Sequence, residues 1–314
     1  MSIRNISCVG VGLIGHSWAT LFSLNNYSVS LCDLTDTILK EARVKIQNNL
    51  DFLVSRGFIE KAQASFALAQ ISMTTNLQKA VQDADYIQES VFENYTVKKK
   101  VLKSANLAAP DHAIFASSSS GLLIYELQQA VTHPENCLIV HPWNPPHLLP
   151  LVEIVPGKST SPHTVTQTYK LMSKIGKIPV IVKKEVPGHI ANRLQAAVWR
   201  EAIDLVDRGV CSVEDVDKAL VAGPGLRWAF MGSNLALHLG GGSGGLRYFI
   251  EHLGPAFSDW WKDMNTWDKI PTSGAKKIVQ GIEELHQVKS MTTASLVEWR
   301  DAKLLQLLEL LYPR

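Results

Sequence analysis

A strand, a glycine-rich turn and a helix follow one another at the start of the chain, and that order constrains the fold more than any other feature. Residues 3–9 are an apolar run, Gly10-Val-Gly-Leu-Ile-Gly15 comes directly after it, and a helical pattern carrying Ala19 begins at once. In such a unit the first glycine permits the tight turn. The second lets the backbone approach a pyrophosphate, and the third lets helix and strand pack closely. The helix N-terminus adds free N–H groups and a positive dipole end, so Gly10, Gly12, Leu13, Ile14 and Gly15 are candidate cofactor contacts. A second strand at 27–32 ends in Asp33, 18 residues beyond Gly15, close to where a ribose-binding carboxylate belongs. Asp33 would accept both ribose hydroxyls and repel a 2′-phosphate, which predicts NAD rather than NADP as cofactor. A glycine turn without a ligand is the alternative, and the strand, helix and acid around it weigh against that.

Residues 35–70 keep helical spacing through Ile38, Leu39, Ala42, Ile46, Leu50 and Leu53, and Gly57 breaks the run. This predicts a helical hairpin projecting from the dinucleotide domain. Further strands are expected at 71–75, 85–91, 113–116, 137–140, 151–155 and 179–182, with helices at 77–81 and 97–107. Beyond Pro187-Gly188 everything reads as helix and loop: helices at 190–208, 213–221 and 293–311, loops at 223–228 and 240–245. The fold class is therefore α/β, a Rossmann-type dinucleotide-binding domain over 1–186 with a protruding hairpin, followed by an all-α substrate and dimerisation domain over 187–314. Helices appended without a sheet commonly pair across a two-fold axis, which predicts a homodimer through the C-terminal domain.

The chemistry concentrates in His141-Pro-Trp-Asn-Pro-Pro-His-Leu-Leu-Pro-Leu-Val-Glu153. Glu153 sits inside the apolar run 151–155, where an unpartnered carboxylate would cost on the order of several kcal/mol. His141, brought back by a proline-stiffened turn, is the candidate partner. The carboxylate would fix the ring's tautomer and raise its basicity, as a general base requires. The same pair could equally do no more than tie a turn to a strand. Ser117 to Ser120 end another strand, where hydroxyls can bond a substrate oxygen or cap the helix that follows. Asn192, in the first turn of a helix, can face a cleft or cap locally.

Composition narrows the classes. Hydrophobic residues make up 46% and charged residues 19%, as in an ordinary globular protein of two domains. A net charge of +2 gives no support to nucleic-acid binding. The basic run Lys98-Lys99-Lys100 with Lys103 reads as the solvated face of a helix. Cys8, Cys32, Cys137 and Cys211 lack metal-ligand spacing, so no metal is expected. Buried, reduced thiols fit a cytoplasmic protein. No apolar run approaches the roughly 18 residues of a membrane span, the chain goes straight into a strand without a signal peptide, and a small-molecule substrate is the expected partner.

Together these motifs resemble the L-3-hydroxyacyl-CoA dehydrogenase superfamily over essentially the whole chain. The resemblance rests on Gly10-Val-Gly-Leu-Ile-Gly15, Glu89-Ser-Val-Phe-Glu93-Asn94, Ser117 to Ser120, His141-Pro-Trp-Asn-Pro145, Leu151-Val-Glu153, and Pro187-Gly188 through Asn192-Arg193. It implies that Ser120, His141, Glu153 and Asn192 line the active site, with Glu93, Lys98 and Ser118 near the cofactor. It also implies a mechanism: His141, oriented by Glu153, takes the hydroxyl proton while hydride leaves C3 for the nicotinamide. Acyl-CoA members usually carry Asn-Thr-Ser-Ser where this chain has Ser118-Ser-Ser-Gly121, and His-Phe-Phe-Asn-Pro at 141–145. They lack the loop 225–232. These departures resemble the branch containing lambda-crystallin and carnitine dehydrogenase, which implies a free L-3-hydroxy acid. Arg227 suits such an acid by bidentate contact, and Trp143 and Trp228 could face a quaternary ammonium or simply pack. A short-chain hydroxyacyl-CoA dehydrogenase and a non-catalytic, crystallin-like NAD binder are the alternatives.

Overall fold

The computed structural model describes residues 3–313, and the chain divides into two compact units between Asn192 and Arg193. The first unit runs β1 (Asn5–Val9), α1 (Gly15–Leu24), β2 (Ser28–Cys32), α2 (Asp36–Ser55), α3 (Lys61–Ala69), β3 (Ile71–Thr74), α4 (Leu77–Val81) and β4 (Tyr86–Glu89). It continues with α5 (Tyr95–Asn106), β5 (Ile114–Ser117), α6 (Ile124–Gln128), β6 (Cys137–Pro142), β7 (Leu151–Pro156), α7 (Pro162–Lys174) and β8 (Ile178–Ile181). The strands form one sheet in the order β3-β2-β1-β4-β5-β6-β7-β8. The first six are parallel, β7 turns back antiparallel to β6, and β8 runs parallel to β7. The chain winds outward from β1 in both directions, so β1 and β4 flank a topological switch point. There the C-terminal strand ends open a crevice. The glycine turn, Asp33, the serine loop and His141 all sit at strand ends on that edge.

Alternating side chains build two layers. Leu138 and Val140 of β6 join a core with Trp18, Phe22, Ile46, Leu50 and Leu171 on one face. Ile139 points the other way, into a core with Ile87, Leu102, Phe115 and Leu127. α1 is buried along most of its length, because α2 covers the side that the sheet leaves open. The hairpin α2–α3 forms as its spacing requires. Thr35 caps α2 by accepting the Ile38 N–H, and Leu39, Ala42, Ile46, Leu50 and Leu53 make its buried row.

In the second unit α8 (Ala191–Asp207), which crosses the division, is followed by α9 (Val213–Leu220), α10 (Leu226–Trp228), α11 (Ser233–Gly240), α12 (Gly245–Asp263), α13 (Thr272–Glu284), α14 (His286–Ser290) and α15 (Thr293–Leu311). The loops expected at 223–228 and 240–245 are instead largely helical. A wide π-type turn over 221–225 leads into α10, with the departure from helical angles confined to Gly223. Pro224 follows at the start of that new turn, where the N–H it lacks would have had no partner. A single 3-10 turn joins α11 to α12. No helix among the described residues is long and apolar enough to cross a membrane.

The segment between His141 and Glu153 is anchored from both sides. The His147 N–H donates to Ser17 Oγ at 2.9 Å, and that hydroxyl also bonds the His147 ring. Lys177 Nζ donates to the carbonyls of Pro146 and Leu149 and lies 5.1 Å from the Trp18 ring centre. Burial pushes the Lys177 ammonium down to about 7 from its usual 10.5. Between those two values the unfolded chain binds the proton and the folded chain releases it, so this group's contribution to stability rises with pH across that window. Lys177→Met should flatten that rise, read as urea midpoints at about pH 7 and about pH 9.

Candidate active site

Register builds the central pair. His141 of β6 lies directly opposite Glu153 of β7, and directly opposed residues of an antiparallel pair share a face. The His141 Nδ1–H donates to Glu153 Oε2 at 2.9 Å, with side-chain exposures of 6% and 1%. Glu153 Oε1 accepts the N–H groups of Ile190 at 2.8 Å and Ala191 at 3.0 Å, at the start of α8. Burial pushes this carboxyl up, but the His141 ring and the two amides outweigh it and hold it below the usual carboxylate range. An ionised Glu153 has no proton to give, so the proton of that bond belongs to Nδ1, and in the neutral ring Nε2 keeps its lone pair.

The four serines have separate tasks. Ser117 Oγ–H donates to Glu89 at 2.6 Å. Ser118 Oγ accepts from Gln88 and shares a bond with Ser90 Oγ, each at 2.8 Å. Ser119 Oγ donates to Glu93 at 2.6 Å and accepts the Leu122 N–H, so this is the serine that caps the following turn. Ser120 is exposed. Its N–H donates to Glu93 and its carbonyl accepts Asn192 Nδ2 at 3.1 Å. Asn192 thus reaches the serine loop rather than capping α8.

Lys98 corrects the surface reading of its basic run: its side chain is 1% exposed. Nζ lies 2.8 Å from Glu89 and 3.3 Å from Glu93, and it also donates to the Val91 carbonyl. Local spacing suggested a solvated face. Glu89, delivered by the neighbouring strand, pulls the lysine inward. Burial pushes the Glu93 carboxyl up, but Ser119 and Lys98 outweigh it and hold it below the usual range.

The glycine turn fits a dinucleotide. A Cβ on Gly15 would lie 1.8 Å from the Gly10 carbonyl oxygen, and one on Gly10 (φ +83°) 2.7 Å from the Ser90–Val91 backbone. On Gly12 it would meet nothing within 4 Å, so the backbone there faces open space. Asp33 accepts the Val11 N–H at 2.8 Å and the Leu34 N–H at 2.7 Å, which locks the carboxylate beside the turn.

A family model for the 3-hydroxyacyl-CoA dehydrogenase NAD-binding domain matches residues 5–186, and its C-terminal domain matches residues 188–281. The chain belongs to the 3-hydroxyacyl-CoA dehydrogenase family. It is an NAD-dependent oxidoreductase acting on the hydroxyl of a 3-hydroxy acid. An L-carnitine dehydrogenase of Bacillus cereus is 38% identical over 99% of this chain and 93% of its own length. One of Pseudomonas putida is 35% identical over 98% and 94%. Among solved structures, 5-formyl-3-hydroxy-2-methylpyridine 4-carboxylic acid 5-dehydrogenase is 28% identical, covers both chains fully and has a TM-score of 0.84. (S)-3-hydroxybutyryl-CoA dehydrogenase of Ralstonia eutropha is 27% identical over 82% of this chain and 89% of that one, with a TM-score of 0.68.

Of the expected residues, His141, Glu153, Ser120 and Asn192 are joined through Ile190, Ala191 and the serine loop. Glu93, Lys98 and Ser118 adjoin the same loop. Trp143 follows His141 with its indole N–H buried and unpartnered. Arg227 and Trp228 belong to the helical unit, on α10. Sequence reasoning missed the burial of Glu89 and that of His189, a histidine at φ +52°. Glu89→Ala would leave Lys98 buried without its closest partner. It should cost about 3–5 kcal/mol in urea unfolding, a loss that Lys98→Met combined with Glu89→Ala should partly restore.

Proposed function

We propose that the chain oxidises a free L-3-hydroxy acid to the 3-keto acid, with L-carnitine the substrate to expect first. The observation that carries the chemistry is the buried His141–Glu153 bond, which puts a proton on Nδ1 and leaves Nε2 of the neutral ring to accept another. In this reading His141 Nε2 takes the proton of the substrate hydroxyl, and Glu153 stabilises the imidazolium that forms. Ser120 and Asn192 hydrogen-bond the oxygen as it becomes a carbonyl. Gly10, Gly12, Leu13, Ile14 and Gly15 hold the pyrophosphate, Asp33 the adenosine ribose, and Glu93, Lys98 and Ser118 the nicotinamide half. NAD, when bound, supplies the hydride acceptor. The reverse direction uses the same groups with the proton returned.

Support for a free acid over a thioester comes from the L-carnitine dehydrogenases that the chain matches over nearly its full length. The chemistry of Arg227 agrees: a guanidinium suits a carboxylate, and a thioester has none. Trp143, two residues beyond His141, would then contact the alkylated ammonium, where a desolvated cation–π contact reaches about 2 kcal/mol. A homodimer fits the large apolar side chains that the helical unit exposes, among them Phe230, Leu239, Ile250, Trp260 and Trp261. The cytoplasm fits four cysteines without a disulfide.

NADH formation from NAD⁺ with L-carnitine, L-gulonate, L-3-hydroxybutyrate and L-3-hydroxybutyryl-CoA tests the reading. A free acid should be turned over and the CoA ester should not; turnover of the ester alone would return the chain to acyl-CoA chemistry. His141→Ala should lower kcat by about 10²–10⁴ while NAD affinity stays unchanged. Equal inactivity of wild type and variant on the whole panel would favour a non-catalytic NAD binder.

A further inference from the structure

Four consecutive residues at the turn into α8 bond three parts of the site. His189 reaches the Ser119 carbonyl, Ile190 and Ala191 give their N–H groups to Glu153, and Asn192 reaches the Ser120 carbonyl. Three of the four are expected site residues or direct supports of one: Asn192 itself, and Ile190 and Ala191 on Glu153. His189 has had no role, and its circumstances are unusual. It is 1% exposed, its φ of +52° lies in the left-handed region that non-glycine residues rarely enter, and its ring centre is 5.3 Å from that of His141. Strain of this kind costs on the order of 1–3 kcal/mol and clusters where surrounding structure demands one geometry.

The tautomer follows from the partner. A carbonyl can only accept, so the 3.1 Å contact with the Ser119 oxygen puts the proton on Nε2 of His189. Nδ1 is then a bare lone pair, buried and without a partner. A cationic ring here would bury an N–H with nothing to receive it, beside a second imidazole. Burial pushes the His189 imidazole below its ordinary value; the Ser119 bond opposes this and His141 adds to it. The charged or titratable groups acting on it are His141 on β6, Glu153 on β7 and Glu185 in the loop after β8, and the two glutamates favour the cation without prevailing.

We infer that His189 is a positioning residue for the oxidation. Its Nε2–H bond to Ser119 and the Asn192 bond to Ser120 fasten two successive carbonyls of the serine loop to the turn that holds Glu153. Ser120 and His141 are thereby held in one frame. The uncharged ring beside His141 also lets His141 become the only imidazolium of the site when it accepts the substrate proton. Two imidazolium rings this close would repel, and the reaction would have to oppose that repulsion. The inference rests on His141 as the base.

Two variants and one spectrum test it. His189→Gly removes the side chain while tolerating φ +52°. His189→Asn tolerates the same φ and restores a donor. His189→Gly should lower kcat at least about tenfold with KM for NAD unchanged, and His189→Asn should recover most of that loss. Wild-type kcat in the glycine variant, or an asparagine variant as slow as glycine, would overturn the inference. The ¹⁵N spectrum of the wild-type imidazoles needs neither turnover nor a folded variant. His189 should show the neutral, Nε2-protonated pattern near neutral pH and through the titration of the free amino acid's ring. A cationic or Nδ1-protonated His189 there would overturn it. Wild-type inactivity on every substrate would instead overturn the base assignment, and the spectrum would still decide the tautomer.

Discussion

The buried charge of Glu153 is what the rest of the first unit is arranged to satisfy. A carboxylate inside a β-strand has lost its water, and without partners the loss would exceed what most single mutations cost. Three partners make it good: one imidazole and two backbone amides. They come from two places, β6 and the start of α8, so the requirement of one side chain fixes strand register, the return of the chain through residues 143–150, and the point where α8 begins. The same bonds give His141 its tautomer. In the proposed reaction, stability and chemistry therefore draw on one set of hydrogen bonds.

A second buried charge organises the serine loop. Lys98 sits among Glu89, Glu93 and the Val91 carbonyl, and the two carboxylates pass the arrangement on to the serine loop through Ser117, Ser119 and the Ser120 N–H. The serine loop is thus held at one side by this acid–lysine cluster and at the other by His189 and Asn192. The hydroxyls of Ser117, Ser118 and Ser119 are taken up by hydrogen bonds, whereas Ser120 is exposed. The glycine turn needs less support, since its shape is dictated by contacts that leave no room for a Cβ at Gly10 or Gly15.

Much of this was legible in the sequence where the physics is local. The strand–glycine turn–helix order marks the dinucleotide half, helical spacing marks the α2–α3 hairpin, and α4 and α15 run over the residues that periodicity suggests. The His141–Glu153 pairing was legible too, because a carboxylate in an apolar strand has to find a partner and a turn supplies one. What stayed hidden depends on distant chain. Lys98 belongs to a basic run that looks solvated until Glu89 is brought beside it. A left-handed His189 has no local signal, since that backbone conformation usually announces itself by glycine or asparagine. The helical course of 221–228 likewise required a kink that Gly223 and Pro224 permit without demanding.

Glu153→Gln tests the central relation most directly. Glutamine keeps the volume and the acceptor for the Ile190 and Ala191 amides, but its neutral amide no longer obliges His141 to carry its proton on Nδ1 or stabilises the imidazolium. NAD binding and kcat/KM should be measured together on the substrate the wild type turns over. Unchanged NAD affinity with kcat/KM lower by about 10²-fold or more is the expected result. A kcat/KM within a few-fold of wild type would mean that the pair only ties turn to strand, and that the base lies elsewhere.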